Sequence, residues 1–255
     1  MITAIAGLPG SGKTHWIREQ IAKTTLPVLY FSPQTDSVPI DATYLQSEFP
    51  NLLVLSSGEE DKLFTAAKES RVYLELPWYL DLSAIEPLLQ QLDCHRVAMM
   101  SQALQNTGFE AWADEVIPGN NYEARINGQI QIHRGVLSGE ILDFASLSVF
   151  WYELICGAYG EISRVKGIFE IADGQCIYGK VLKGIPPQEF EALNLPVWLE
   201  GRPQRFSGFE IVGCNLDKEE ISQTLQDCLI PEAAIAHYQQ QVKESLEEVQ
   251  VGKLQ

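Results

Sequence analysis

Gly7-Leu8-Pro9-Gly10-Ser11-Gly12-Lys13-Thr14 is the stretch on which the fold turns. It satisfies the phosphate-loop pattern G-x-x-x-x-G-K-[ST] at every fixed position. Ile2, Ala4, Ile5 and Ala6 make a short apolar strand before it, and Trp16, Ile17 and Ile21 fall at helical spacing after it. Strand, loop and helix are the context the motif's chemistry requires. Glycines let the backbone come close to phosphate oxygens. Successive N–H groups and the helix N-terminus then face the anion. On this reading Gly10, Ser11, Gly12, Lys13 and Thr14 hold a nucleotide's phosphates. Lys13 bridges the β- and γ-phosphates, and the Thr14 hydroxyl ligates Mg²⁺. The plain alternative is a glycine-rich turn ahead of a core helix.

Working outward, apolar runs recur at Val28–Phe31, Leu52–Leu55, Val72–Leu76 and Val97–Met100, with a weaker one at Val116–Ile117. Helix-prone segments lie between several of them. Strands alternating with helices imply βαβ units and a parallel sheet. Short, nearly continuous apolar runs suit strands covered on both faces. Ser83-Ala84-Ile85-Glu86 reads as a capping box with Ser83 as N-cap, opening a helix that ends near Leu92. The strand before that helix holds one carboxylate, Glu75, next to its end. Ligands of parallel sheets gather at the C-terminal ends of strands. Glu75 is therefore expected as the second acidic group, holding Mg²⁺ through water or orienting an attacking water. A solvated strand-end carboxylate is the alternative.

The pattern changes after about residue 136. Phe144, Leu147, Phe150, Trp151, Leu154 and Ile155 recur at helical spacing. Asp173-Gly174 between two β-prone runs is a hairpin signal. A further strand covers Arg205–Val212, and Asp217 with Glu220 forms a D-x-x-E box before another helix. This reads as a small α+β domain with a mostly antiparallel sheet. From Pro231 onward a polar, helix-prone run ends the chain. The expected division is a phosphate-loop domain over residues 1–136, an α+β domain over 137–231 and a polar helical tail over 232–255. The expected class is α/β, with a mostly parallel sheet in the first domain.

The 255 residues suffice for one large domain or two modest ones, and 45% hydrophobic with 20% charged content is ordinary for a globular chain. A formal net charge of −16 argues against nucleic acid or an anionic membrane as a main partner. No apolar run reaches membrane-spanning length. A strand beginning at Ile2 leaves no room for a leader peptide. Five scattered cysteines, an odd number, suit a reduced, cytoplasmic protein. Cys94-His95 is a poor metal pair, because adjacent residues rarely serve one ion and no third ligand lies near in sequence. Arg164 and Lys166, alternating on one strand, form either an exposed basic pair or a surface that docks on the acidic first domain.

The second half carries a resemblance. Gly160-Glu161-Ile162-Ser163-Arg164-Val165-Lys166-Gly167-Ile168-Phe169 resembles the strand opening the C-terminal domain of CobW-like proteins. Val212-Gly213-Cys214-Asn215-Leu216-Asp217 and Asp227-Cys228-Leu229 resemble the last strand and helix of that domain. The family joins a P-loop GTPase of the metal-homeostasis group to this smaller domain. The resemblance implies a GTP-driven metallochaperone or cofactor-insertion factor, with a client protein or a homo-oligomer as partner.

Several family motifs are altered. Leu55-Ser56-Ser57-Gly58-Glu59-Glu60-Asp61 stands where the family has C-x-C-C and holds no thiol, so no structural zinc is expected. Glu75-Leu76-Pro77-Trp78 stands for E-T-T-G; the glycine has become Trp78, and Pro77 lacks an N–H. The acidic switch segment keeps only Asp41. Asn120-Asn121-Tyr122-Glu123 reads either as an altered N-K-x-D, with Asn120 and Glu123 at the guanine base, or as a turn after Pro118. The expectation is a GTP- or ATP-binding protein, guanine favoured, with slow or lost hydrolysis. A scaffold with a relic phosphate loop is the alternative, and a small-molecule kinase a weaker one, since no arginine-rich lid is visible.

Overall fold

The computed structural model describes residues 1–33, 38–66, 68–101, 108–120 and 129–252, with side chains as far as 246. The chain forms two compact units that part near residue 123, with residues 38–40 grouped with the second.

The first unit alternates strand and helix. Its elements are β1 (Ile2–Gly7), α1 (Lys13–Ala22), β2 (Val28–Phe31), α2 (Ile40–Glu48), β3 (Leu53–Leu55), α3 (Asp61–Ala66), β4 (Arg71–Glu75), α4 (Leu82–Gln91), β5 (His95–Met100), α5 (Phe109–Trp112) and β6 (Glu115–Pro118). The six strands form one sheet in the order β3-β2-β4-β1-β5-β6, and every pairing is parallel. β1 therefore runs between β4 and β5, and the loop leaving it lies between the ends of both.

Alternation along the strands sorts the two faces. Leu29, Phe31, Val72 and Leu74 point to one side and pack with Leu63 of α3 and Ile85 and Leu89 of α4. Residues one step out of phase point to the other side. There the Trp16 ring of α1 meets Tyr73 edge-on, centroids 6.2 Å apart. Tyr30 pairs with Tyr73 across the β2–β4 ladder, so Tyr30, Tyr73 and Glu75 share the α1 face. α4 is capped by Asp81 and not by Ser83: the Asp81 carboxylate accepts from the Ser83 N–H at 2.9 Å. Asp and Ser are both good caps, and the helix begins at Leu82 because the residue that caps it is Asp81, two residues before Ser83.

The second unit holds β7 (Gln131–Val136), α6 (Phe144–Ile155), β8 (Glu161–Glu170), β9 (Cys176–Leu182), β10 (Glu191–Ala192), β11 (Gly208–Cys214), α7 (Lys218–Asp227) and α8 (Glu232–Gly252). Its sheet runs β10-β9-β8-β11-β7 and is antiparallel throughout. β7 precedes residue 136 but pairs with β11 along its whole length, so this stretch belongs to the second sheet. Its apolar signal is thin because an edge strand has little to bury. Leu147, Phe150, Trp151 and Leu154 of α6, with Ile221 and Leu225 of α7, pack on Val165, Phe169, Phe209 and Ile211.

Arg164 is not an exposed cation. It pairs with Glu210, which also accepts from Arg134 Nε at 2.8 Å, and the Arg164 side chain is 11% exposed. α8 is tied down at its start. Ile235 packs with Ile141 and Ile230. The buried Gln239 amide donates to Gly201 O at 2.9 Å and accepts from Gly201 N at 2.8 Å.

Candidate functional site

The loop after β1 is held open by backbone shape. Gly12 is the N-cap of α1 with φ of 101°, a left-handed value that L side chains rarely adopt. It has no side chain to satisfy the first N–H groups of the helix. The first intrahelical bond runs from Trp16 N to Gly12 O at 2.9 Å. The N–H groups of Lys13, Thr14 and His15 thus precede the helical ladder, as at any helix start. They lie at the positive end of the helix dipole, beside the loop. The Ser11 hydroxyl is buried and finds no acceptor or donor among the described residues. An uncapped helix start beside a buried, unused hydroxyl fits a ligand rich in oxygen acceptors.

Lys13 is 8% exposed and lies back along the loop. Its ammonium donates to Gly7 O at 2.8 Å and to Leu8 O at 3.3 Å. Carbonyl acceptors stabilise the cation in a low-dielectric setting and hold the loop in shape. His15, by contrast, faces outward and approaches Glu19 at 3.4 Å on the same helix.

Thr14 and Glu75 meet. The Thr14 hydroxyl donates to Glu75 Oε1 at 3.0 Å. The pairing follows from topology, since β1 and β4 are neighbours and Ile5 lies opposite Glu75 in the ladder. A hydroxyl has one proton and two lone pairs. With its proton directed to Glu75, the Thr14 oxygen keeps lone pairs that could ligate a cation. Glu75 is 7% exposed, and its second oxygen, Oε2, accepts from Tyr30 OH at 3.1 Å. Ser32 Oγ donates to the Glu75 carbonyl at 2.9 Å. Burial, with Glu75 and then Asp41 adding negative charge nearby, holds the Tyr30 phenol well above its usual range, so it stays a donor at neutral pH. Hard oxygen donors of this kind suit Mg²⁺.

On the other side of β1, Asn120 follows β6. Its Nδ2 donates to Gly10 O at 3.0 Å and its N–H to Ser11 O at 3.1 Å. The approach is close. A Cβ on Gly119 would stand 2.8 Å from Ser11 O. Asn120 is thus joined to Gly10 and Ser11, whose loop continues into Gly12, Lys13 and Thr14 at one end of the sheet. Glu123 lies outside the described residues, as do Asn121 and Tyr122.

Among the sequence-marked residues, Glu59 and Glu60 turn onto their own loop: Glu59 accepts from Ser56 N at 2.9 Å and Glu60 from Gly58 N at 3.1 Å. His95 Nε2 lies 3.0 Å from Glu115 Oε2 on the neighbouring strand. No group of three or more His, Cys, Asp or Glu suited to a metal ion occurs among the described residues. Nor, among them, is any helix long and apolar enough to cross a membrane. That Tyr30 and Ser32 both bond to Glu75 was invisible in the sequence. Only the β2–β4 register reveals it, because Tyr30 otherwise reads as one more apolar strand position.

No protein-family profile matches the chain, and no curated protein matches it. Two solved structures do: the zinc-bound YjiA GTPase from E. coli and a zinc-bound triple mutant of YjiA. Each shares 13% identity over 89% of this chain and 98% of its own, with a TM-score of 0.33. That likeness is too distant to carry a ligand or a role from one chain to the other.

Proposed function

We propose that the amino-terminal unit binds a nucleoside triphosphate together with Mg²⁺, GTP in preference to ATP, and hydrolyses it slowly if at all. The observation that carries this reading is the hydrogen bond from Thr14 to buried Glu75 beneath an uncapped helix start. Residues 10 to 14 would hold the phosphates through backbone N–H groups and Lys13. Thr14 would give its lone pairs to the cation, with Glu75 behind it. Mg²⁺ would supply neutralisation of charge between the β- and γ-phosphates. Asn120 and Glu123 support a guanine site from the sequence pattern, with Asn120 adjoining the loop.

Two features support slow turnover. Both Glu75 oxygens already accept hydrogen bonds from hydroxyls, Oε1 from Thr14 and Oε2 from Tyr30, so a water would have to compete with them for the carboxylate. Pro77 has no N–H to offer a γ-phosphate, and Trp78 replaces a small residue beside it. The resemblance in the second unit extends the proposal to a client-directed, CobW-like role.

The test is equilibrium binding of GTP and ATP, with and without Mg²⁺, to wild type and Lys13→Ala. Wild type should bind GTP, and Lys13→Ala should weaken binding by roughly tenfold or more, since a charge-assisted contact contributes about 1.5–3 kcal/mol. Absence of binding in wild type would leave the scaffold reading in its place.

A further inference from the structure

We infer that Tyr30 is a positioning residue for the cation at this site, fixing the Glu75 carboxylate so that Thr14 is held ready to ligate Mg²⁺. The inference rests on the nucleotide reading above and adds to it a residue that no phosphate-loop pattern contains.

The geometry is a short relay across three neighbouring elements. Thr14 lies in the first turn of α1, Glu75 ends β4, and Tyr30 lies in β2 on the far side of β4. Glu75 bridges them, accepting from Thr14 at Oε1 over 3.0 Å and from Tyr30 at Oε2 over 3.1 Å. A glutamate side chain has three torsions, and the terminal one is broad and roughly two-fold. One hydrogen bond would leave the carboxylate free to turn about that torsion. Two donors on opposite oxygens remove the freedom. Tyr30 itself is 2% exposed, so its ring cannot swing away. Its strand is registered on β4 through Tyr30 opposite Tyr73 and Phe31 opposite Leu74. Ser32, two residues on, donates to the Glu75 backbone carbonyl at 2.9 Å and fixes the other end of the same residue.

The chemical consequence falls on Thr14. While Glu75 Oε1 accepts the Thr14 hydrogen bond, the hydroxyl lone pairs are left for a cation. If Glu75 turned, Thr14 would be free to rotate and donate to a phosphate oxygen, losing its orientation as a ligand. Groups that hold a ligating side chain from behind typically change metal affinity by about 10- to 100-fold when removed. Tyr30 is one step further back, so the lower end of that range applies. Phosphate binding by backbone N–H groups and Lys13 does not pass through Tyr30. The effect should therefore be confined to the gain in affinity that Mg²⁺ provides.

The experiment is GTP binding by calorimetry, with Mg²⁺ and with EDTA, on wild type, Tyr30→Phe, Glu75→Gln and the double variant. Tyr30→Phe removes one oxygen and keeps the ring, and a thermal melt checks its folding. The ratio of affinities with and without Mg²⁺ should fall about tenfold in Tyr30→Phe. The double variant should fall no further than Glu75→Gln alone, because residues in one relay are not additive. An unchanged ratio in Tyr30→Phe, or full additivity in the double variant, overturns the inference while the nucleotide reading stands. Glu75→Asp is a second arm should Tyr30→Phe fold poorly. One methylene shorter, it cannot span both hydroxyls, and an undiminished Mg²⁺ ratio there also overturns the relay. Wild type that binds no GTP under either condition overturns the nucleotide reading and this inference together.

Discussion

Gly119 has no side chain because Ser11 O lies where one would go. A Cβ there would stand 2.8 Å from that carbonyl and 3.3 Å from Met100 N, both backbone atoms that cannot turn aside. Gly119→Ala should push the β6 end and its Asn120 away from the loop. We expect a loss of about 1–3 kcal/mol in chemical denaturation, the usual cost of forced overpacking. The cysteines offer a second check at this scale. Burial pushes the Cys94 and Cys228 thiols up to about 11 and that of Cys176 higher still, whereas Cys156 is exposed. A raised thiol value means little thiolate at pH 8, so brief iodoacetamide treatment should label Cys156 first, as read by mass spectrometry. Labelling of Cys94 or Cys228 should speed up as pH climbs toward their values. Early modification of Cys176 would contradict the packing around β9.

At the scale of elements, apolar runs announced every strand of the parallel sheet. β1, β2 and β4 are buried along nearly their whole length and had to be apolar, whereas the edge strands β3 and β6 are more exposed, and β6 gave a weaker signal. Phe144–Ile155 declared itself as a helix through its spacing, and Asp217 capped α7 as its D-x-x-E box implied, accepting from Glu220 N at 3.1 Å. Three features were not legible. β7 sits at a sheet edge and carries a weak pattern. Asp81 outcompeted Ser83 as a cap, a choice between two good caps that local sequence does not decide. The tail read as polar, yet α8 is fastened where one glutamine meets one glycine. A single buried amide leaves no periodic trace. Gln239→Ala should strand both Gly201 backbone groups and cost about 1–3 kcal/mol, measured by denaturant midpoint. Its C-terminal helix should also become more open to proteolysis. In the site, the loop was readable because its glycines, lysine and threonine are fixed by chemistry. Tyr30 was not, since its contact with Glu75 depends on which strand lies beside β4.

The whole molecule carries a formal charge of −16 over 255 residues. Self-repulsion of that size disfavours the compact state and is screened by salt. The melting temperature should therefore rise as sodium chloride is raised from low to physiological concentration, followed by differential scanning fluorimetry. A flat or falling response would mean that local ion pairs such as Arg202 with Glu140, at 2.6 Å, outweigh the net field. The two units have separate cores, one around Leu74 and Leu89 and one around Phe150 and Phe169. Each unit's architecture follows from its own stretch of sequence, which is why fold class was readable before any pairing was known.

The carbonyl contacts of Lys13 have a calorimetric consequence for the proposed function. Its ammonium organises the loop by holding the Gly7 and Leu8 carbonyls, so the loop's shape is set by the chain itself. Binding of the proposed nucleotide would then order little new chain. On that proposal the heat-capacity change of GTP binding should be small, without the large negative value that accompanies folding coupled to binding. Titrations at several temperatures would show nearly parallel enthalpies. A steep slope would mean that the loop assembles around its ligand.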